Sequence, residues 1–152
     1  MNSKLCILVI LAFTATFAFA LPKTRKTNGV YIATIKPIYK SNSTVAGKVV
    51  VFTNMLTSGV ITYAGYATGV EPNLLSSNCT AIDGCGAHLH LGKSCKDITS
   101  QGPNLFVSPV VTDPWVSERY SSDYFGHATY GGVVTVGTKK LAGRSFVSKY
   151  IF

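Results

Sequence analysis

The sequence predicts an all-β protein built as one domain, and three observations support this class. The chain has 152 residues, of which 47% are hydrophobic and 13% charged, a composition that builds a buried core and argues against disorder. It contains eight Tyr, eight Phe and 14 Gly, which suits aromatic strands joined by glycine-rich turns. No amphipathic helix of useful length and no internal repeat is visible, so we expect short antiparallel strands in a sandwich or barrel.

The first 20 residues have the pattern of a secretory signal peptide. Lys4 supplies a positive charge, residues 5–17 form an apolar run, and residues 18–20 read Ala-Phe-Ala, the small-residue signature that precedes cleavage. We therefore predict a secreted, extracellular protein whose mature chain begins at Leu21. The alternative is a membrane anchor, but the run is short for a bilayer span, so no membrane contact is expected after cleavage.

The mature chain would carry a strong positive charge. Fourteen Lys and Arg stand against six Asp and Glu in the full chain, and loss of Lys4 leaves a net charge of +7 over 132 residues. So few acidic residues give little material for a Ca²⁺ cage or for a glycosidase pair of carboxyl groups. Residues 21–29 form a basic lead-in, which we interpret as a solvated tail, with a polyanion contact as the alternative. No nucleic-acid partner is predicted.

Strands follow in a regular order along the mature chain. Residues 30–39 alternate loosely and contain Pro37, which predicts an edge strand. Two further strands are predicted at 45–53 and 60–68, and Gly65 inside the second indicates a bulge or close packing. A loop leads to a short strand at 86–91. The remaining predicted segments are a long irregular stretch at 92–125, expected to be functional, two short strands at 126–130 and 132–136, and a final strand at 141–152.

The cysteines and two sequons fit a secreted protein. Cys6 would leave with the signal peptide, so one disulfide and one thiol are expected among the remaining three. Cys79 and Cys85 flank a five-residue loop that costs little chain entropy to close, which predicts their pairing and a free Cys95. Two triplets fit the N-glycosylation sequon, and they begin at Asn42 and Asn78.

Two of the three histidines form a His-x-His pair. His88 and His90 lie two residues apart on a predicted strand, so they project to one face while Leu89 points into the core. Two imidazoles on one face can bind one Cu or Zn ion. One alternative is a pair of ordinary surface histidines. Another is a site in which both thiols of Cys85 and Cys95 stay reduced and join the imidazoles around Cu(I) or Zn, which secretion argues against.

The surroundings of this pair resemble a known family. Residues 84–95, which read Gly-Cys-Gly-Ala-His-Leu-His-Leu-Gly-Lys-Ser-Cys, are similar to the metal-site strand of Cu,Zn superoxide dismutases, closest to the copper-only superoxide dismutase repeat proteins. Further pieces resemble the family in the same order, at 69–73, 113–123, 126–128 and 143–147. The resemblance implies a superoxide dismutase-like domain over residues 30–152 with an eight-stranded antiparallel Greek-key sandwich or barrel.

The same resemblance implies an incomplete copper site. The family holds copper with four histidines, and the first two match His88 and His90. At the third and fourth positions this sequence has Asn104 and Lys149, an amide that binds copper poorly and an amine that is protonated at neutral pH. The implied cofactor is copper without zinc, and the implied partners are a copper ion and, if the site is active, superoxide. We expect superoxide disproportionation to be weakened or lost, with a non-catalytic copper-binding or interaction module as the alternative.

Three other side chains have structural interpretations. His127 lies in a piece where the family has no ligand, so we expect a surface or structural role, with a replacement copper ligand as the alternative. Trp115 and Tyr120 are expected to pack the long irregular stretch against the core.

Overall fold

Seven strands form one antiparallel sheet in the computed structural model of the chain, which confirms the all-β class. The structure describes residues 4–12, 29–38, 43–53, 59–80, 84–97 and 99–149, with the backbone alone for 4–12 and 149. The strands are β1 (Lys4–Ala12), β2 (Gly29–Pro37), β3 (Ala46–Thr53), β4 (Val60–Thr68), β5 (Ala87–His90), β6 (Ala128–Thr135) and β7 (Ser145–Lys149). Their order across the sheet is β5-β7-β1-β2-β3-β4-β6, and within the described ranges this sheet does not close.

Alternation of apolar and polar residues explains the central strands. In β3, Val49 and Val51 are buried while Lys48 and Phe52 are exposed, so one face packs on the core. The predicted strand at 60–68 has the same bounds as β4. Gly65 keeps an unbroken register with Val49, so it marks close packing rather than a bulge: a Cβ there would come within 2.7 Å of the Lys48 carbonyl.

The prediction that residues 30–39 form an edge strand is wrong for the full chain. β2 ends at Pro37, as the proline suggests, but it pairs with β3 on one side and with β1 on the other. β1 itself pairs antiparallel with both β2 and β7 and so occupies an interior position of the sheet. The signal-peptide interpretation concerns processing and stays a prediction, and its cleavage site at residues 18–20 lies outside the described residues.

The two short strands expected at 126–130 and 132–136 are one strand, β6. Gly131 and Gly132 interrupt the hydrophobic pattern, but they continue the ladder opposite Ala64 and Tyr63 of β4. A Cβ on Gly131 would lie 2.9 Å from the Tyr63 carbonyl oxygen, so the glycine allows the two backbones to approach. The glycines therefore mark tight strand pairing and not a turn.

The long stretch at 92–125 is irregular, as predicted, yet well anchored. Trp115, which lies in this stretch, is fully buried, and its Nε1 donates a hydrogen bond to the Leu105 carbonyl at 2.8 Å. Tyr120 is also buried and packs against the ring of Tyr130 at 5.8 Å between centroids. Both aromatic predictions are confirmed. The closing strand begins later than expected, because residues 141–144 turn before β7 begins, and residues 150–152 lie outside the described chain.

The cysteine predictions have a mixed outcome. The Cys79–Cys85 disulfide is confirmed, and it closes the loop between the turn Ser76–Asn78 and β5. The free Cys95 is wrong for the full chain, since Cys95 is also disulfide-bonded and no described cysteine is free. The prediction assumed that the signal peptide and its cysteine had left. Asn78 is exposed at the end of its turn, and Asn42 lies outside the described residues. Among the described helices, none is long and apolar enough to cross a membrane.

Candidate functional site

β5 places the two histidines of the predicted site side by side. In the ladder with β7, His88 lies opposite Val147 and His90 opposite Ser145. Their ring centroids are 6.4 Å apart with planes 17° from parallel, so the two imidazoles share one face as their spacing predicts. They are 1% and 4% exposed, which makes the surface-histidine interpretation wrong. The intervening Leu89 packs into the main core, as expected.

The backbone of the long irregular stretch orients His90. His90 Nδ1 lies 2.7 Å from the carbonyl oxygen of Gly102. A carbonyl oxygen can only accept a hydrogen bond, so Nδ1 carries the hydrogen and the lone pair of the neutral ring is on Nε2. Metal-binding histidines are commonly held in this way, with one ring nitrogen donating to a carbonyl and the other available to the ion. The hydrogen bond therefore fixes the orientation of the His90 ring and places its lone pair on Nε2.

The local chain folds so that this carbonyl reaches His90. Gly92 N donates to the Gln101 carbonyl at 2.7 Å, and Leu91 N donates to the Pro103 carbonyl at 2.9 Å, which pins the segment beside the end of β5. Gly102 has φ of +67°, a conformation that glycine adopts without strain. A Cβ on Gly92 would collide with the backbone oxygens of residues 100 and 101. Gly92 is thus required by the close approach of the two segments, and Gly102 is favoured by its left-handed backbone conformation.

His88 is held by aromatic packing. Its ring lies 5.9 Å from that of Trp115, and Trp115 in turn lies 5.9 Å from Tyr63 on β4. Trp115 is fixed at both ends, because its backbone N–H donates to Asp113 Oδ1 at 2.9 Å and its indole donates to Leu105. The wall beside His88 is therefore a buried indole held by two hydrogen bonds.

Asn104, the residue at the expected third-ligand position, lies next to His90. The two residues form an isolated antiparallel bridge, and Leu105 N donates to the Leu89 carbonyl at 2.7 Å. Asn104 is 6% exposed, and its Nδ2 donates to Asp113 Oδ2 at 2.8 Å. The same carboxylate also accepts from Trp115, so Asp113 ties the Asn104 amide to the wall of the site. The structure thus places position 104 beside the histidine pair and fills it with a tethered amide.

Lys149, at the expected fourth position, ends β7. Val147 and Ser145 face His88 and His90 in the ladder, and position 149 is the next one in that row of alternate residues. Of Lys149 itself the backbone alone is described, and its partner in register on β1 is Lys4.

The other predicted ligands do not join the pair. His127 lies on an exposed turn, where its Nδ1 is 3.2 Å from Asp123 Oδ2, and its side chain is 58% exposed. This agrees with the surface role and not with a replacement ligand. The alternative thiol site is wrong, because Cys85 and Cys95 are both oxidised. In the described part of the chain no group of three or more His, Cys, Asp or Glu side chains is placed to hold a metal.

Sequence reasoning missed two polar features near the site. Gln101 is 2% exposed, and within the described residues its Nε2 has no hydrogen-bond partner. Tyr63 donates to Glu118 Oε2 at 2.5 Å, and burial together with this carboxylate raises the pKa of Tyr63 above its usual range. Desolvation likewise raises the pKa of Tyr120. These tyrosines stay protonated at neutral pH and so contribute hydrogen bonds rather than charge. Nothing in the local sequence around Gln101 signals its burial, and nothing around Tyr63 signals its pairing with Glu118.

Comparison with known proteins adds no family assignment. No protein-family model matches the chain, and a search of curated proteins finds no match. The likeness to superoxide dismutases therefore depends on the sequence segments quoted above and on the geometry of His88 and His90.

Proposed function

We propose that this protein is a secreted, superoxide dismutase-like domain that binds copper at His88 and His90 and has weak or no dismutase activity. The observation that carries the proposal is the hydrogen bond between His90 Nδ1 and the Gly102 carbonyl, which orients the ring and fixes the tautomer that metal-binding histidines commonly have. The structure supports the all-β class, and the eight-stranded Greek-key sandwich or barrel belongs to the proposal.

The donor set fits copper better than zinc. Two neutral imidazoles are suitable ligands for either ion, but a structural or catalytic zinc site uses three or four protein ligands. Copper supplies one-electron chemistry, in which it alternates between Cu(II) and Cu(I). The imidazoles of His88 and His90, whose ring centroids lie 6.4 Å apart, would hold the ion, and Trp115 packs beside the His88 ring.

The rest of the site explains why the activity would be weak. Dismutation converts two superoxide ions and two protons into O₂ and H₂O₂, with one superoxide losing an electron and the other gaining it. Ligands on several sides must keep the ion fixed in both oxidation states. Asn104 offers only an amide that Asp113 already holds, and Lys149 is cationic at neutral pH. The net charge of the mature chain would attract superoxide, but attraction does not replace the missing imidazoles.

Copper content of the secreted protein tests this proposal. Wild type should bind one copper per chain in equilibrium dialysis, and His88→Gln with His90→Gln should abolish that binding. His127→Gln is the matched control, since it removes an exposed imidazole and should leave copper content unchanged. Dismutase activity per bound copper should fall well below that of a four-histidine enzyme. Copper that stays bound in the double variant, or wild type with no copper, would refute the site.

A non-catalytic interaction module on the same sheet is the second candidate. The observation that favours it is the interior position of β1, a segment that secretion would remove. A protein that is secreted, folded and free of copper would support this candidate over the first.

A further inference from the structure

The N-terminal strand occupies a place that the secreted chain could not fill with the same residues. β1 pairs with β2 at six positions and with β7 at five, antiparallel to both. Cleavage after residue 20 would remove this strand entirely. β2 and β7 would each keep one partner, β3 and β5 respectively, and would each lose the other. Between them would remain a gap one strand wide, here called the β2–β7 slot.

The walls of the β2–β7 slot include buried apolar side chains. Ile35 of β2 and Phe146 of β7 are 1% and 0% exposed, and both stand opposite Ile7 in register. Val147 is equally buried and stands opposite Cys6. Unpaired strand edges beside buried apolar side chains readily bind another extended segment. An empty slot would therefore be unfavourable in water.

We propose that the β2–β7 slot of the secreted protein is an acceptor site for an extended strand of a partner polypeptide. This inference rests on the removal of the signal peptide, which is part of the proposed function, but it is independent of copper. Strand addition of this kind takes its affinity from main-chain hydrogen bonds and its specificity from alternate side chains. The segment that now lies in the slot shows the required direction, since it runs antiparallel to both walls.

The register also defines the chemistry of the partner strand. It needs about five or six extended residues, with an apolar residue at the position of Ile7, opposite Ile35 and Phe146. At the other end, Lys4 stands opposite Lys149, and like charges directly across a sheet are destabilising. A partner with an acidic residue at the position of Lys4 would therefore suit the slot better than the chain's own N-terminal segment.

A second copy of this chain is a poorer occupant. In the described ranges of the mature chain, all six strands from β2 to β7 are already part of the sheet. None of them is spare, so a copy that donated one would have to open its own sheet. This argues for a strand from a different polypeptide.

A peptide titration on the secreted product of the full-length gene tests the proposal. The probe is a labelled peptide of residues 4–12 with Cys6→Ser and a soluble tail after Ala12, followed by fluorescence anisotropy. We expect 1:1 binding, with Lys4→Glu in the peptide tightening it about threefold. Ile7→Pro in the peptide should weaken binding at least about tenfold, because proline removes a ladder hydrogen bond.

Controls separate this inference from the proposed function. N-terminal sequencing and a count of one thiol per secreted chain, which has three cysteines, report removal of the signal peptide without reference to binding. A secreted product that retains Met1 overturns the predicted removal of the signal peptide and, with it, the acceptor site. A product that begins at Leu21 but binds no peptide, with β2 and β7 amides protected from hydrogen exchange, overturns the acceptor site alone. A dimer in which these amides are protected would assign the slot to a second copy of the chain and would overturn the proposal that a different polypeptide supplies the strand.

Discussion

Replacement of Trp115 by Phe tests how the long irregular stretch is attached to the core. Trp115 is fully buried, and its Nε1 donates to the Leu105 carbonyl, which phenylalanine cannot satisfy. A buried carbonyl left without its partner costs about 1–3 kcal/mol, and the smaller ring loses about 1–2 kcal/mol of apolar burial. We therefore expect Trp115→Phe to lower the free energy of unfolding by about 2–5 kcal/mol, a large share of a typical domain's stability.

Urea unfolding followed by circular dichroism measures this loss. The midpoint should fall by about 1–2 M with an unchanged slope, since the variant exposes the same surface on unfolding. Val116→Ala is the control, because Val116 is the next residue but is 47% exposed and should change stability by less than about 0.5 kcal/mol. A midpoint for Trp115→Phe that matches the control would show that the indole does not anchor the stretch.

Three further predictions follow from the site, the disulfide and the surface turn. Asn104→His should raise copper affinity at least about tenfold, and its combination with Lys149→His should raise it further, because each change adds an imidazole. Isothermal titration of the single and double variants with copper checks this. Unchanged affinities would show that the copper ligands lie elsewhere. Cys79→Ser with Cys85→Ser should cost about 2 kcal/mol of stability, as expected for a crosslink of residues six apart, and an unchanged unfolding midpoint would contradict it. The Asp123 carboxylate accepts hydrogen bonds from the backbone N–H groups of His127 and Phe125 and lies beside the His127 imidazole, and these contacts hold the pKa of Asp123 below its usual value. The ionised carboxylate should therefore stabilise the turn at pH values above the pKa of Asp123 in the unfolded chain. This stabilisation should be lost as the pH falls through the lower pKa of Asp123 in the folded chain. A carboxyl NMR titration that gives an ordinary pKa for Asp123 would contradict this last prediction.

Much of the sheet can be predicted because alternation is a local property. Val49 and Val51 point inward, the flanking Lys48 and Phe52 are exposed, and β3 and β4 have nearly the predicted bounds. The errors occur where the conformation of a segment depends on the strands that pair with it. Gly131 and Gly132 resemble a turn in sequence, but β4 supplies a backbone close enough that only glycine fits at Gly131. β2 has the proline of an edge strand, and only the distant β1 makes it interior.

The site divides in the same way. The spacing of His88 and His90 is enough to predict a shared face, and the structure shows the rings together. Their burial and the tautomer of His90 depend on the Gly102 carbonyl, 12 residues away, and on Trp115. No local pattern reports such contacts. The prediction for Cys95 failed for a different reason. A free thiol was expected after removal of the signal peptide, and the full chain, which retains that segment, has Cys95 in a disulfide.

The nitrogen count around bound copper tests the central claim most directly. Electron paramagnetic resonance of the secreted protein with one equivalent of Cu(II) should show superhyperfine coupling from two imidazole nitrogens, and His90→Gln should reduce the pattern to one. Asn104→His should extend it to three. A wild-type spectrum with three or four imidazole nitrogens, or one that His90→Gln leaves unchanged, would contradict a copper site built on His88 and His90.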